Sequence, residues 1–185
     1  MKQKIITCAR DIYLEDGYNG FSMRKIAQCV GISATAIYRH FSDKEDLLFS
    51  VLLTGFREFS KYLKRCESEP TPIERLLRSA YEYMNFALEH PAYYEMMFIT
   101  TDQIAGLKGL NQKGADEMEA TYLYHHQLVE DCQFKNQDVD QLSLAMWAFS
   151  HGFASLFLAG KLPLTQEEFL DIYQIQVKNY MEQQK

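Results

Sequence analysis

The sequence predicts an all-α protein: an N-terminal three-helix bundle containing a helix-turn-helix, followed by a larger helical domain. Three observations support this. Apolar residues recur at helical spacing along most of the 185 residues. Glycine and proline number only 9 and 4, and no Asn-Gly or Asp-Gly pair is flanked by alternating runs, which argues against an all-β sandwich. Ser or Thr followed three residues later by Glu precedes three of the apolar segments.

The first four helices are punctuated by glycine and serine. The first is predicted to end at Gly17, in the C′ position. Ser22 is expected to cap the second helix, and Ser33 a short third helix that ends near Phe41. The residues Ser42-Asp43-Lys44-Glu45 predict a capping box that opens a long fourth helix.

Proline and further capping signatures set the later helices. Thr71, Pro72 and Glu74 predict the start of a helix that runs to about His90. Pro91 ends this helix and is expected to open the next. The remaining predicted elements are a short helix through Phe98, a loop over 100–114, helices over about 116–132 and 138–159, and a last helix opened by a capping box at 165–168.

Charge is distributed unevenly along the chain. The net charge is −6, but residues 1–47 carry +1, and three cations and no carboxylate lie between Gly17 and Phe41. This asymmetry indicates an anionic partner at the N-terminal end. The chain carries no Gly-x-Ser-x-Gly, no His-Glu-x-x-His and no phosphate- or dinucleotide-binding glycine pattern, so no enzyme and no cofactor is predicted.

No apolar stretch approaches the ~18 residues of a membrane-spanning helix, and the N-terminus does not resemble a signal peptide. A cytoplasmic protein without a membrane partner is therefore expected. Cys8, Cys29, Cys66 and Cys132 include no Cys-x-x-Cys pair and are interpreted as free, mostly buried thiols; two disulfides are the alternative for a secreted protein. The adjacent His125 and His126 face different directions on a helix, so no metal site is predicted.

Residues 22–41 form the most informative motif. Two short helices meet at Gly31, and their apolar positions suit one buried side, the pattern of a helix-turn-helix whose second helix enters the major groove. The alternative is a plain helical hairpin with a polar surface; the acid-free outer face and the serine caps favour the first interpretation. The candidate DNA-binding residues are Ser22, Arg24, Lys25, Thr35, Tyr38, Arg39, His40 and Lys44.

Side-chain chemistry divides these candidates by role. Arg24, Thr35 and Arg39 are expected to contact bases, because arginine reads guanine with two hydrogen bonds and a threonine methyl touches thymine. Lys44 lies in the first turn of a helix, whose N-terminal amides also attract phosphate. For Lys25, contact with phosphate and exposure to solvent remain equal alternatives.

Residues 5–48 resemble the DNA-binding domain of the tetracycline-repressor (TetR) family of bacterial transcription regulators. The resemblance implies that Tyr38, His40 and Lys44 hold the DNA backbone and that the last two helices pair with those of a second copy in a four-helix bundle. It gives a DNA-binding domain over 1–47 and an effector-binding and dimerisation domain over 48–185. The matching residues are Ala9, Tyr13, Gly17, Tyr18, Ser22, Ile26, Ala27, Gly31, Ser33, Tyr38, His40, Phe41, Lys44 and Leu47.

A small-residue stripe on the 138–159 helix allows close approach of another helix. The predicted dimer interface combines this stripe with apolar residues of the last helix: Ala148, Gly152, Ser155, Ala159, Phe169, Tyr173 and Val177. The sequence pattern Trp147-x-x-x-His151-Gly152 is similar to the pattern in one subset of the family's C-terminal domains. Which face of this helix lines the pocket and which the interface remains open.

The centre of the chain is rich in aromatic residues and methionine, which line adaptable pockets. Ordinary core packing is the alternative, and for His151 a satisfied core histidine is the alternative to a ligand contact. The predicted pocket consists of Tyr83, Phe86, Tyr94, Met97, Phe98, Trp147 and His151, and its expected ligand is apolar or aromatic.

Together these observations predict a ligand-responsive transcription regulator: a homodimeric repressor that binds a palindromic double-stranded operator and is released by a small, largely apolar effector. The sign of regulation, repressor or activator, is not fixed by the sequence. The alternative is an all-helical small-molecule binding protein or enzyme that retains a vestigial helix-turn-helix.

Overall fold

The computed structural model describes residues 1–98, 112–135 and 137–182, without the side chains of 112–118 and 180–182. These residues contain nine α-helices and no strand, which confirms the all-α prediction. None of these helices combines the length and apolar character needed to cross a membrane. The helices are α1 (Lys2–Gly20), α2 (Met23–Val30), α3 (Ala34–Ile37), α4 (Lys44–Leu63), α5 (Pro72–Glu89), α6 (Pro91–Phe98), α7 (Gln112–Asp131), α8 (Val139–Leu158) and α9 (Gln166–Glu182), with a 3₁₀ helix at Lys64–Ser68.

The chain forms two compact units. The first unit comprises Met1–Arg57 and Ala92–Glu117, and the second comprises Glu58–Pro91 and Met118–Lys185. The predicted boundary after residue 47 falls inside α4, whose residues belong to the first unit up to Arg57 and to the second from Glu58.

Glycine and serine shape the first three helices of the first unit as predicted. α1 is broken at Gly17, where φ is 66° and ψ is −167°. Ser22 caps α2 by accepting a hydrogen bond from the Lys25 amide at 3.2 Å, and Ser33 caps α3 through the Ala36 amide, also at 3.2 Å. Gly31 ends α2 in the left-handed region with φ 80°, so the chain reverses between α2 and α3.

The start of α4 corrects one prediction. The capping box expected at Ser42 and Glu45 does not form; instead Asp43 accepts a hydrogen bond from the Asp46 amide at 2.7 Å. The Asp46 carboxylate in turn accepts from the Ser42 amide at 2.9 Å. Asp43 is as good a cap as serine, and its negative charge also suits a helix N-terminus, so the helix begins one residue later than the serine predicts.

The second unit is built around α5, which packs against α8 and α9. Both bonds of the capping box predicted at Thr71 and Glu74 are present. The box at Thr165 and Glu168 also forms, with bonds of 2.7 and 3.2 Å. α7 begins at Gln112, earlier than the predicted 116, and most of the predicted 100–114 loop lies outside the described residues.

The cysteines correct a second prediction. Cys8 and Cys29 are not free thiols but form a disulfide that joins α1 to α2, with their Cα atoms 6.1 Å apart. The two residues are 21 positions apart, and only the packing of α1 on α2 brings them together. Cys66 and Cys132 are free, as predicted.

Candidate functional site

The helix-turn-helix separates its apolar and polar residues onto two sides. Ile26, Val30, Ile37 and Phe41 are between 0 and 4% exposed and form the buried side. The predicted DNA-binding residues other than Lys44 are all exposed: Ser22, Arg24, Lys25, Thr35, Tyr38, Arg39 and His40. The first unit therefore presents a polar surface that includes the two exposed serine caps, Ser22 and Ser33, and no carboxylate from the residues between Gly17 and Phe41.

The residues at the end of the recognition segment lie in a turn rather than on a helix. α3 has only four residues, and Tyr38, Arg39 and His40 follow it in a turn held by the His40 amide, which donates to the Ile37 carbonyl at 2.8 Å. Tyr38 is 52% exposed although it is a large aromatic residue. An exposed tyrosine ring followed directly by Arg39 and His40 suits a contact with an anionic backbone.

Lys44 is held by aromatic rings. Its ammonium group lies 4.1 Å from the centre of the Tyr18 ring and 5.7 Å from that of Phe21. The negative faces of these rings attract a cation and restrict the lysine side chain. This positioning role of Tyr18 and Phe21 was not predicted from the sequence. The feature that could have indicated it is the pair of aromatic residues just after the break at Gly17.

The N-terminus of α4 is less electropositive than the sequence suggested. The Asp43 and Asp46 carboxylates accept hydrogen bonds from the backbone amides of Asp46 and Ser42, as described above. These carboxylates occupy donors that a phosphate would otherwise use and offset the positive end of the helix dipole. At the start of α4 the positive charge is therefore that of the Lys44 ammonium rather than of the helix terminus.

Lys25 has a protein partner. Its ammonium nitrogen lies 2.5 Å from Asp16 Oδ2, and the two side chains are 51 and 34% exposed. The ion pair partly neutralises Lys25 and places a carboxylate beside the polar surface. An exposed pair of this kind contributes little stability, so it opens readily when a stronger anion approaches.

In the second unit, four aromatic side chains of α5, α7 and α8 form a chain of contacts. The Tyr83 hydroxyl lies 3.1 Å from His151 Nδ1, the His151 and Trp147 rings are 6.2 Å apart, and Tyr122 meets Trp147 edge-on at 5.6 Å. Burial lowers the pKa of His151, so its imidazole is neutral near pH 7. Tyr122 is not among the residues that the sequence predicts for the pocket.

The predicted pocket residues are divided between the units. Tyr83, Phe86, Trp147 and His151 belong to the second unit, whereas Tyr94, Met97 and Phe98 belong to the first. Phe86 is 0% exposed and packs on Phe59 at 5.0 Å and on Tyr62 at 5.6 Å, as a core residue does. In the first unit the Tyr94 and Phe98 rings are 5.1 Å apart.

A cavity of about 100 Å³ opens between α8 and α9 of the second unit. Its lining residues are Ala145, Met146, Phe149, Tyr173 and Gln176. Of the residues predicted for the pocket none lines this cavity, whereas Tyr173 had been predicted for the dimer interface.

The predicted interface residues differ in exposure. Ala148 and Ala159 are exposed, and Gly152 and Ser155 are half-buried. Phe169, Tyr173 and Val177 are 0, 1 and 2% exposed in the single chain, because they pack on the inner side of α9. Sequence periodicity identified the apolar face of α9 correctly but did not distinguish a face turned to the subunit core from one turned to a partner.

Large apolar side chains extend the outward surface of α8 and α9. Leu144 is 53% exposed, Leu156 47% and Ile175 54%. On α8, Leu144 lies four residues before Ala148, on the same stripe as the small residues. An exposed leucine on the same stripe as small residues is typical of a surface that a second chain covers.

Both adjacent histidines have partners on α8 of the same unit. His125 Nε2 lies 3.1 Å from the Ser143 carbonyl oxygen, and burial lowers the pKa of His125 to about 4. His126 Nε2 lies 2.7 Å from an Asp140 oxygen. The two rings thus join α7 to α8 through separate contacts.

Two family models match the chain. Residues 5–51 match the model described as "Bacterial regulatory proteins, tetR family", and residues 76–179 match "Tetracyclin repressor-like, C-terminal domain". The chain belongs to the TetR family. The resemblance found in the first 48 residues therefore extends to most of the second unit of this TetR-family chain.

A curated relative is also a transcriptional regulator, and two solved structures share the fold. An HTH-type transcriptional regulator of Staphylococcus aureus (strain bovine RF122 / ET3-1) is 32% identical over 89 residues, which are 48% of this chain and 44% of that protein. The match thus spans less than half the length of the curated relative. A Rhodococcus sp. RHA1 protein of unknown function has the same fold, with a TM-score of 0.81, 24% identity and coverage of 98% of this chain and 93% of that one.

The second solved structure is the transcriptional regulator FadR from Bacillus subtilis in complex with stearoyl-CoA. Its TM-score is 0.68 and its sequence identity 16%, over 94% of this chain and 97% of that one. At these identities both structures establish the shared fold of the TetR-family chain.

Proposed function

We propose that this TetR-family chain is a homodimeric repressor that binds a palindromic DNA operator in the cytoplasm and leaves it when a small, largely apolar effector binds. The observation that carries the proposal is the exposed polar surface of the helix-turn-helix, which has no carboxylate between Gly17 and Phe41, with Lys44 held beside it by Tyr18 and Phe21. A vestigial helix-turn-helix that no longer binds DNA would not require such a surface. No catalytic role is assigned.

Within this surface the residues divide by reach and chemistry. Arg24, Thr35 and Arg39 contact base edges, and Tyr38, His40 and Lys44 contact the phosphate backbone. Ser22 caps α2 through its side chain and lies exposed at the same surface. Lys25 contacts phosphate once DNA competes with Asp16 for its ammonium group.

Two copies of the chain are needed to read both halves of a palindrome. The proposed interface is the outward stripe of α8, formed by Ala148, Gly152, Ser155 and Ala159, together with Leu144, Leu156 and Ile175. Phe169, Tyr173 and Val177 are left out because they are buried within the subunit. The cavity between α8 and α9 offers a hole of about 100 Å³ for an apolar side chain of the partner.

The effector is proposed to bind at the aromatic cluster of Tyr83, Tyr122, Trp147 and His151 within the second unit. Three aromatic rings and a neutral imidazole favour a flat, apolar guest with one hydrogen-bonding group. An effector that binds better to a conformer with altered recognition-helix spacing lowers DNA affinity. A coupling of about 1–3 kcal/mol corresponds to roughly 5–150-fold.

Lys44→Ala is expected to weaken binding to all DNA sequences about equally and to lower the slope of log K against log salt by roughly two, about 0.9 for each of the two subunits. The reason is that Lys44 neutralises a phosphate in each half-site but reads no base. The measurement is fluorescence anisotropy with the DNA upstream of the protein's own gene and with unrelated DNA, each over a series of salt concentrations.

Lys61→Ala is the matched control, since Lys61 is an exposed lysine of the second unit that pairs with Glu58 at 2.7 Å. This variant removes the same charge without the proposed contact. Tyr18→Leu should reproduce part of the Lys44→Ala loss, whereas Tyr18→Phe keeps the ring and the affinity. A salt slope for Lys44→Ala equal to that of Lys61→Ala would remove Lys44 from the backbone contact.

Effector binding is expected to change the fluorescence of Trp147, the single tryptophan of the chain. The ring lies within contact distance of Tyr122 and His151, so a ligand inserted into this cluster alters its surroundings. The probes are flat aromatic compounds, free fatty acids and stearoyl-CoA, each titrated against the emission and against DNA binding in parallel.

A compound that binds at the cluster should shift both signals with the same midpoint, and Trp147→Phe should retain DNA binding while losing the emission signal. Phe149→Leu, in the cavity lining between α8 and α9, tests the alternative pocket. A compound that releases DNA without any change in Trp147 emission, and with full response in Trp147→Phe, places the effector elsewhere.

A further inference from the structure

The disulfide between Cys8 and Cys29 lies inside the proposed DNA-binding unit. It joins the middle of α1 to the last turn of α2, one residue before Val30 and two before the Gly31 turn. Beside it, Lys4 Nζ donates a hydrogen bond to the Val30 carbonyl at 3.1 Å. Two links between α1 and α2 therefore meet where the chain turns towards the recognition segment.

The two sulfur positions differ in access. Cys29 is exposed, whereas Cys8 is only 9% exposed. An oxidant or a reductant in solution therefore reaches the pair through Cys29, and Cys8 lies behind it as a resolving partner.

The other two cysteines, Cys66 and Cys132, are less suited to thiol oxidation than Cys8 and Cys29. Cys66 is fully buried, and burial raises the pKa of its thiol. Burial also raises the pKa of Cys132 to about 12. Neither forms a pair with another cysteine among the described residues, so thiol oxidation is directed to Cys8 and Cys29.

We propose that Cys8 and Cys29 are a redox-active dithiol, which a peroxide converts to the disulfide and a dithiol reductant restores. The disulfide then acts as a staple, a bond that stabilises the DNA-binding unit without changing its surface. This inference adds an oxidant-dependent state to the proposed regulator. Disulfides in proteins that act beside the chromosome are transient and redox-linked far more often than structural.

The chemistry balances with peroxide as the oxidant. The Cys29 thiolate attacks one peroxide oxygen, the O–O bond breaks, and the departing oxygen leaves as water after protonation. The Cys8 thiolate then attacks the Cys29 sulfenic sulfur, the S–S bond forms, and the second oxygen leaves as water. Two thiols and one hydrogen peroxide thus give one disulfide and two water molecules.

The geometry indicates a staple rather than a release switch. A Cα separation of 6.1 Å lies within the usual range for disulfides, so the bond fits the packing of α1 against α2 in this structure. In the disulfide form the serine caps and the Gly31 turn of the helix-turn-helix are intact. The bond restricts the unfolded chain and leaves the DNA-binding surface in place.

The test begins with the full-length protein, fully reduced and then treated with hydrogen peroxide. Peptide mapping by mass spectrometry after thiol alkylation should find a Cys8–Cys29 cross-link that dithiothreitol reverses. The oxidised protein should melt roughly 6–12 °C above the reduced protein. Cys29→Ser, an exposed substitution, should abolish the shift, whereas Cys132→Ser should keep it.

The proposed redox-active pair is wrong if Cys8 and Cys29 remain free thiols under peroxide, or if the cross-link involves Cys66 or Cys132. The stabilising role of the disulfide is wrong if the oxidised and reduced proteins melt at the same temperature. It is also wrong if oxidation lowers the affinity for the operator more than threefold. The affinity measurement rests on the proposed DNA binding, but mapping and melting need no DNA. Absence of DNA binding in both redox forms therefore counts against the proposed function alone.

Discussion

Replacing Gly152 with leucine is expected to abolish the homodimer while each subunit stays folded. A Cβ built at Gly152 meets no atom within 4 Å in the single chain, so a larger side chain has space in the subunit. Leucine in place of glycine within a helix also favours the helix itself. Across a two-fold interface, however, the new side chain appears twice, at about 1–3 kcal/mol of overpacking each time.

The expected cost of about 2–6 kcal/mol raises the dimer dissociation constant by roughly 30-fold to 10⁴-fold. Sedimentation velocity at low micromolar concentration reports the change directly. Gly152→Ala is the conservative control at the same position, and Ala120→Leu makes a similar substitution at an exposed position of α7. A Gly152→Leu protein that sediments as an intact dimer refutes the placement of the interface on this stripe.

Arg39→Ala is expected to lose about 1–3 kcal/mol of affinity in each half-site, about 2–6 kcal/mol for the whole operator, and to relax the preference at one base position in each half-site. Arg39 is exposed in the turn after α3, on a surface without carboxylates between Gly17 and Phe41. A guanidinium there reaches a guanine edge with two hydrogen bonds. Binding to unrelated DNA should change far less than binding to the operator.

Arg39→Lys separates charge from geometry, because lysine keeps the positive charge but loses the planar pair of donors. It should retain the affinity for unrelated DNA and show most of the Arg39→Ala loss on the operator. Arg10→Ala, on α1, controls for the removal of an exposed arginine that pairs with Asp11 at 2.7 Å. Equal proportional losses on operator and unrelated DNA would make Arg39 a backbone contact instead.

Local sequence signals predicted most of the helix ends. Ser22, Ser33, Thr71 and Thr165 cap helices where the sequence placed them, because a capping bond joins residues only two or three positions apart. Asp43 took the place expected of Ser42, since two good caps stood side by side and the sequence does not rank them.

Features that depend on packing between distant residues were not predicted. The Cys8–Cys29 disulfide and the Tyr18–Lys44 contact each join residues more than 20 positions apart, whose meeting is decided by the packing of α1. The inner face of α9 was predicted as apolar, but its partner was assigned to a second subunit instead of to the core. Helical periodicity gives the direction of a face and not the surface that covers it.

The most direct test of the DNA-binding account is selection of genomic DNA fragments by the full-length protein, with sequencing of those retained. The account predicts enrichment of a palindrome whose half-sites are centred about one helical turn or more apart. It also predicts weaker enrichment for Arg39→Ala, with the preference lost at one base position in each half-site, and unchanged enrichment for Lys61→Ala. Fragments retained without any common motif, at every salt concentration tested, would contradict the account.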